Sequence, residues 1–313
     1  MTNSSPDTPV PRTEPSSDAP GAADGFPLTV IVLAKNEAAN LPRCLESVAW
    51  CARRVVADDH SSDGSAEVAR ECGAEVLQRR FDSFAGQRNA AIEACTKPGD
   101  WVLLLDADEV CTAELRAEIE RTLPSASSET VGYRMCRKTM LHGRWLKRSD
   151  GFPVWIMRLV RSGQAAFADR GHGEVPVPKV DGELGTLREP FLHFAFSRGI
   201  GDWVTRHVRY ADREARLELA DESDRPPLRL RSLLSRDRSR RREAQRTLSR
   251  RMPGRPLLRF AYQYVLKLGF LDGSAGLTFA LLMAGYEGLI VLRRRELRDA
   301  GEPHDAAAGP ASQ

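Results

Sequence analysis

A strand-like apolar run that ends in carboxylates is the part of this sequence best suited to chemistry. The run Trp101–Leu105 reads WVLLL, and Asp106, Asp108 and Glu109 follow it at once. Carboxylates at the end of an apolar strand are costly to bury unless a cation meets them. Two Asp spaced by two residues can reach one ion together, and oxygen ligands favour Mg²⁺ or Mn²⁺, which commonly arrive with phosphate. Taken alone, the same residues fit an Asp-rich turn equally well.

Two earlier apolar runs also end in acidic residues. Glu37 follows the run Leu28–Leu33, and Asp58 follows the run Arg53–Ala57. Helical patterns separate these runs, so the sequence predicts an open α/β sheet whose strand ends line one crevice. Neither a GxGxxG motif after the first strand nor a P-loop motif is present, so a phosphate in that crevice requires a metal ion. The predicted helices span 38–50, 65–72 and 84–95, and further strands span 74–77, 131–137 and 155–160.

Composition places the chain among ordinary globular proteins. Its 313 residues suffice for one large domain or two smaller ones, and 42% of them are hydrophobic and 28% charged. The six cysteines include no CxxC pair, which indicates reduced core residues of a cytosolic protein. The first residues carry no apolar signal segment, which also favours a cytoplasmic location.

Four sequence blocks are similar to the successive motifs of the inverting family-two glycosyltransferases. They are TVIVLAKNEAANL from residue 29, VVADDHSSDGS from residue 55, GQRNAAIEA from residue 86 and WVLLLDADE from residue 101. The resemblance implies a GT-A fold, a Rossmann-like mixed sheet that binds a nucleotide-diphospho-sugar and a divalent metal, Mn²⁺ or Mg²⁺. By the same resemblance, the base and ribose would be lined by Ala34, Asn36, Glu37 and Asp58, the diphosphate by Arg88, the ribose also by Asp106, and the metal by Asp108.

The second half of the predicted domain supplies candidates for the acceptor side. Inverting transfer requires a base that takes the proton of the acceptor hydroxyl, and the resemblance assigns this role to Glu174, with His172 as second choice. It also makes His193 a metal ligand, although a lone His in an apolar run is common in a core. A basic stretch either contacts an anionic acceptor or forms a solvated loop. Its residues are His142, Arg144, Lys147 and Arg158.

The last third of the chain is first basic and then apolar. From Arg225 to Arg259 there are thirteen Arg and two acidic residues, and the seventeen residues 276–292 hold one charge, Glu287. No nucleic-acid motif accompanies the arginines, so we expect no nucleic-acid partner, whereas a basic segment before apolar helices fits an anionic membrane surface. Seventeen residues is short for a span, so we expect peripheral attachment, with a transmembrane helix or a soluble helical subdomain as alternatives. The block LGFLDG from residue 268 resembles a C-terminal signature of the bacterial lipopolysaccharide-core glucosyltransferases.

These features divide the chain into four expected parts. Residues 1–26 and 299–313 form disordered tails, residues 27–220 form the GT-A domain, and residues 221–298 form a helical, membrane-associating extension. The resemblance implies transfer of one sugar, with inversion, to a lipid-linked or envelope glycan acceptor such as lipopolysaccharide core. We expect this reaction at the inner face of the cell membrane. The alternatives are transfer to a polyprenyl phosphate and a membrane-bound nucleotide-binding scaffold without turnover.

Overall fold

The computed structural model describes residues 25–170, 173–223, 252 and 254–300. Within these ranges the strands are β1 (Phe26–Ala34), β2 (Cys51–Asp58), β3 (Glu75–Gln78), β4 (Trp101–Asp106), β5 (Glu109–Val110), β6 (Thr130–Leu141), β7 (Arg144–Trp145), β8 (Val154–Arg161), β9 (Ala165–Arg170), β10 (Gly173–Pro178), β11 (Glu183–Thr186) and β12 (Phe191–His193). The α-helices are α1 (Leu41–Ser47), α2 (Ser65–Glu71), α3 (Phe84–Cys95), α4 (Ala113–Thr122), α5 (Gly199–Ser223), α6 (Arg255–Ala261) and α7 (Gly273–Asp299). Shorter helical turns cover Leu123–Ser125, Tyr262–Leu266 and Gly269–Asp272.

A mixed sheet of ten strands, counted over the described ranges, organises the fold. Its order is β3-β2-β1-β4-β8-β6-β12-β5, and β7 and β11 also pair with β6. The first four strands of this order are parallel to one another, whereas β8 runs antiparallel to both β4 and β6. The α/β class with a mixed sheet is therefore confirmed, and its parallel half carries the strand ends that the sequence singled out.

The strands of the parallel half bury side chains on both faces of the sheet. Val32 of β1 belongs to one apolar cluster with Leu45 of α1 and Leu115 of α4, whereas Ile31 belongs to a second cluster with Ala91 of α3. Successive side chains of a strand point to opposite faces, so each face is covered by its own helices. A strand that is buried on both faces carries a continuous apolar run, and this explains why the sequence alone predicts β1 and β4.

Several element boundaries differ from the predicted ones. β1 begins at Phe26, so this residue belongs to the sheet rather than to a tail, and α7 continues through Asp299. The first helix begins only at Leu41, and Asn40 occupies its N-cap position, where the side-chain amide donates to Oε2 of Glu37 and makes no capping hydrogen bond. In contrast, α3 spans the predicted residues 84–95.

The C-terminal helices pack onto the rest of the described chain. Phe279 of α7 shares an apolar cluster with Leu141 at the end of β6, and farther along the helix Ile290 packs with Ala215 of α5. Helix α7 has 27 residues, many more than the apolar stretch that the sequence predicts. Together with the preceding turn it forms a 31-residue segment, Gly269–Asp299, which is long and apolar enough to cross a membrane by length and composition alone.

Three predicted features lie outside the described residues. These are most of the two tails, the arginine-rich run as far as residue 251, and His172, the second choice for the base.

Candidate active site

The ends of β1, β2 and β4 meet at one edge of the sheet. In the parallel register Ala34 lies opposite Asp58, and Leu33 lies opposite Asp106. Parallel strands present their carboxyl ends at the same edge, where α/β proteins bind ligands. The structure thus brings together the residues for which the sequence predicted a shared crevice.

Side-chain hydrogen bonds join the loops that follow β1 and β2. Both carboxylate oxygens of Asp58 accept from Ser61, Oδ2 from the backbone N at 3.1 Å and Oδ1 from the hydroxyl. Oδ1 of Asn36 accepts from the backbone N of Ser62 at 2.9 Å, and Asn36 adopts a positive φ of 53°, which Asn tolerates better than most residues. Asp58 is 0% exposed, and its carboxylate is engaged by the loop at Ser61.

Arg198, which the sequence analysis did not single out, holds the polar end of β1. Its Nη1 lies 3.2 Å from Oε1 of Glu37 and donates to the backbone O of Asn36 at 2.9 Å. Burial raises the pKa of Glu37 above its ordinary value, although the Asn40 amide and Arg198 oppose that effect. No local pattern indicates the contact, because Arg198 lies far along the chain, just before α5.

Asp106 is held between two arginines. Its Oδ1 accepts from Nη2 of Arg88 at 2.7 Å, and its Oδ2 accepts from Nη2 of Arg158 at 2.6 Å. Partial burial alone would raise the pKa of Asp106, but Arg158 and Arg88 outweigh it and hold that pKa well below its ordinary value. The Asp106 carboxylate is therefore ionised and fixed in orientation, and Arg88, expected near a diphosphate, is engaged by it.

Glu109 is buried beneath this cluster, at 1% exposure. Its Oε1 accepts from Nη2 of Arg158 at 2.8 Å, and its Oε2 accepts from the backbone N of Asp106 at 2.9 Å. Glu109 therefore fixes the end of β4 instead of facing a ligand.

The interpretation of Arg158 as part of a basic acceptor loop is wrong. Its side chain is 7% exposed and lies within the sheet, on β8, where it bonds Asp106 and Glu109. The sequence did contain a signal, because an arginine inside the apolar strand VWIMRLVR requires a buried acid as its partner.

Replacing Arg158 by Met should lower the free energy of unfolding by about 3–5 kcal/mol, because Glu109 would remain buried without its cation. Urea unfolding followed by circular dichroism measures this change. Arg161→Met, on the same strand, is the control. Its guanidinium lies 4.5 Å from the centre of the Trp101 ring and donates to the backbone O of Thr130 and Ser127, and these contacts should together contribute less, about 1–2 kcal/mol. Equal destabilisation by the two substitutions would contradict the assigned role of Arg158.

Asp108 and His193 meet where β5 pairs with β12. His193 lies opposite Glu109 in that antiparallel pair, and the backbone N of Phe194 donates to the backbone O of Asp108 at 2.8 Å. This pairing places Nε2 of His193 3.6 Å from Oδ2 of Asp108. Burial opposes both charges, but the attraction between the two groups dominates, so the pKa of Asp108 is lowered and the pKa of His193 is raised.

This pair suits a divalent cation as part of its coordination shell, provided that the cation displaces the proton of the His193 imidazole. Two donor atoms 3.6 Å apart can both lie about 2.1 Å from one ion. Over the described ranges, no group of three or more His, Cys, Asp or Glu side chains is arranged to hold a metal. A cation bound by Asp108 and His193 would therefore need further ligands from a phosphate and from water, as Mg²⁺ sites in phosphoryl enzymes do.

Glu174 lies on a hairpin formed by β9 and β10, directly opposite Asp169. Oδ1 of Asp169 accepts from the backbone N of Ala85, in the first turn of α3, at 3.2 Å. Asn89 of α3 holds the same hairpin through two hydrogen bonds to the backbone of Phe167, at 2.8 and 2.9 Å. The hairpin is thus fixed to the helix that carries Arg88. Only the backbone of Glu174 is described, so its role as base stays a prediction.

The fold and the site define an α/β protein with a candidate ligand site at the carboxyl ends of its parallel strands, where carboxylates gather. Within that class, this chain belongs to glycosyltransferase family 2. The sequence profile described as "Glycosyl transferase family 2" matches residues 29–145. An uncharacterized glycosyltransferase of Rickettsia felis is 33% identical over 203 residues, which cover 60% of this chain and 69% of that protein. The resemblance inferred from the four sequence blocks is confirmed.

Other relatives are similar over smaller shares of their length. The "Lipopolysaccharide core biosynthesis glycosyltransferase LpsC" of Rhizobium meliloti is 32% identical over 178 residues, which cover 54% of this chain and 63% of that protein. The match therefore spans less than two thirds of LpsC. Among solved structures, mannosyl-3-phosphoglycerate synthase from Rubrobacter xylanophilus is 13% identical, with 64% of this chain and 76% of that chain covered at a TM-score of 0.41. That similarity is too low to align individual site residues.

Proposed function

We propose that this glycosyltransferase moves one sugar, with inversion, from a nucleotide-diphospho-sugar to a lipid-linked or envelope glycan acceptor such as lipopolysaccharide core. The observation that carries the proposal is the Asp108–His193 pair beside Asp106, at the end of a parallel strand. The pair offers a cation two ligands and leaves its remaining positions to a diphosphate. The similarity to a protein named for lipopolysaccharide core biosynthesis supports the acceptor class.

In this proposal the loops after β1 and β2 bind the nucleoside. The residues assigned to it are Ala34, Asn36, Glu37 and Asp58, with Asp106 reaching the ribose. Arg88 lies near the diphosphate but is 1% exposed, so it acts there by orienting Asp106. Each oxygen of Asp106 accepts one arginine hydrogen bond and retains acceptor capacity for a ribose hydroxyl. The two arginines hold the pKa of this carboxylate below its ordinary value, so it is ionised and accepts hydrogen bonds at neutral pH.

The cation would be held by Asp108 and His193. When bound, it would neutralise the charge of the departing nucleoside diphosphate, so no proton donor is needed on that side. An imidazole ligand favours Mn²⁺ over Mg²⁺, because Mg²⁺ prefers an all-oxygen shell.

Glu174 is the proposed base. It takes the proton of the acceptor hydroxyl while the hydroxyl oxygen attacks the anomeric carbon, and this single displacement inverts the anomeric configuration. Asn89 of α3 forms hydrogen bonds with the hairpin that carries Glu174. The backbone of Glu174 is therefore held at a fixed position relative to the strand-end site. We place the reaction at the inner face of the cell membrane, with peripheral attachment through the C-terminal extension.

A panel of labelled nucleotide sugars, incubated with the full chain, Mn²⁺ and native membranes, tests this function. Mass spectrometry of the extracted lipids and glycolipids should show one product heavier by a single sugar, from one donor of the panel. Nucleotide binding without transfer to any membrane component would show instead that the chain is a non-catalytic scaffold.

A further inference from the structure

The C-terminal elbow, residues 255–272, has the reverse of the usual distribution of polar and apolar side chains. Its buried residues are Arg255, Gln263 and Gly269. Its large apolar side chains face outward, with exposures of 77% for Leu257, 74% for Leu266 and 60% for Leu271. Several large apolar side chains exposed on one short segment usually mark a surface that an apolar partner or phase covers.

Internal contacts fix this reversed orientation. Arg255 donates to both carboxylate oxygens of Glu218 on α5, at 2.8 and 2.9 Å, and to Glu287 of α7 at 2.6 Å. The side-chain amide of Gln263 donates to the backbone O of Ser149 at 3.4 Å. Turning the elbow to bury its leucines would separate Arg255 from its buried partners, and this opposes such a rearrangement.

A basic loop lies directly beside the elbow. Oδ2 of Asp272 accepts from the backbone N of Arg148 at 2.9 Å, and from the backbone N and hydroxyl of Ser149 at 2.8 and 2.7 Å. This contact fixes the loop between β6 and β8 against the elbow, with Arg144, Lys147 and Arg148 exposed. Cationic side chains therefore border the apolar surface.

The surrounding sequence is strongly basic, with two acidic residues, Asp237 and Glu243, among its arginines. There is no acidic residue between Glu243 and Asp272, and eleven arginines lie between residues 225 and 251, the segment that leads into α6. This excess of basic residues favours an anionic partner, since basic side chains near an anionic bilayer are attracted to it.

We propose that the elbow and the basic loop form one surface that inserts into an anionic lipid bilayer from its cytoplasmic side. Helix α7 would stay within the protein, because Phe279 packs with Leu141 and Ile290 with Ala215. The inference deepens, and rests on, the proposed attachment to the membrane by naming the side chains that contact lipid. Thr139 of β6 pairs with His193, and β6 continues from there into the basic loop. The bilayer would therefore lie close to the proposed metal site, within reach of a lipid-linked acceptor.

Flotation of the full chain with lipid vesicles tests this surface. We expect binding to vesicles of phosphatidylcholine mixed with anionic phosphatidylglycerol, weaker binding to phosphatidylcholine alone, and release at high salt. The double substitution Leu266→Asp, Leu271→Asp should lower the vesicle partition coefficient by about tenfold or more. Leu292→Asp is the matched control: Leu292 is 62% exposed, but it lies near the other end of α7 and should not affect binding.

Four results would overturn the proposal. They are no binding of the wild-type chain to the anionic vesicles, equal loss of binding in the Leu292 control, resistance of the bound protein to high salt and alkaline carbonate, and conversion of a dimer to a monomer by the elbow substitutions. The third would indicate a spanning helix, and the fourth would indicate that a second copy covers the elbow. Circular dichroism checks that each variant is folded.

The binding assay contains no donor, metal or acceptor, so it is independent of transfer. Vesicle binding without transfer would refute the proposed function and leave this surface in place. Transfer to a soluble acceptor by a chain that does not bind vesicles would do the opposite.

Discussion

Replacing Asp108 by Asn should lower the rate of sugar transfer by about a thousandfold, because a catalytic metal contributes several kcal/mol to the transition state. Asn keeps the size of the side chain but loses the negative charge that pairs with His193 at 3.6 Å. The same substitution should weaken Mn²⁺-dependent binding of a nucleoside diphosphate, measured by calorimetry. This second measurement separates a lost metal ligand from a lost catalytic group.

Asp100→Asn is the matched control for this prediction. Asp100 immediately precedes β4 and is exposed, at the opposite end of the strand from Asp108. Its carboxylate accepts a local hydrogen bond, from the backbone N of Lys97 at 2.8 Å. Transfer should be unchanged in this variant. Full activity of the Asp108 variant would show that the metal assignment is wrong.

Replacing Glu174 by Gln should lower transfer by about 10²–10⁴-fold, the usual contribution of a general base. Binding of the donor should be unchanged, since Gln removes the proton acceptor and keeps the side-chain shape. Single-turnover rates with saturating donor, together with calorimetry of nucleotide binding, measure the two effects separately.

Glu183→Gln, a change of the same type at an exposed residue of β11, should leave transfer intact. If Glu174→Gln retains nearly full activity, the acceptor needs no base. A polyprenyl phosphate would behave in this way, because its phosphate oxygen is already ionised at neutral pH.

The parallel half of the sheet was predictable because its strands are buried on both faces. Continuous apolar runs such as those of β1 and β4 leave few alternatives, and the register then determines which strand ends meet. The C-terminal helices were less predictable. Local hydropathy shows that residues 276–292 are apolar, but it does not show that α7 packs along α5 through Ile290 and Ala215.

The polar residues of the site also differ in how well the sequence predicts them. Asp106 and Asp108 stand out because they end an apolar strand, whereas the partners that position them come from distant segments. The sequence indicates a buried acidic partner for Arg158, because a cation within an apolar strand needs one. Nothing in the sequence indicates the contact that Arg198 makes. Tertiary contacts such as that of Arg198 depend on how loops cross over the sheet.

The most direct test of the account is the initial rate of transfer from the nucleotide sugar that the panel identifies, measured with and without a divalent ion. We predict transfer in Mn²⁺, loss of transfer when EDTA removes the ion, and recovery when excess Mn²⁺ is added back. A rate that is the same in EDTA, or no transfer from any nucleotide sugar, would contradict the site built on Asp108 and His193.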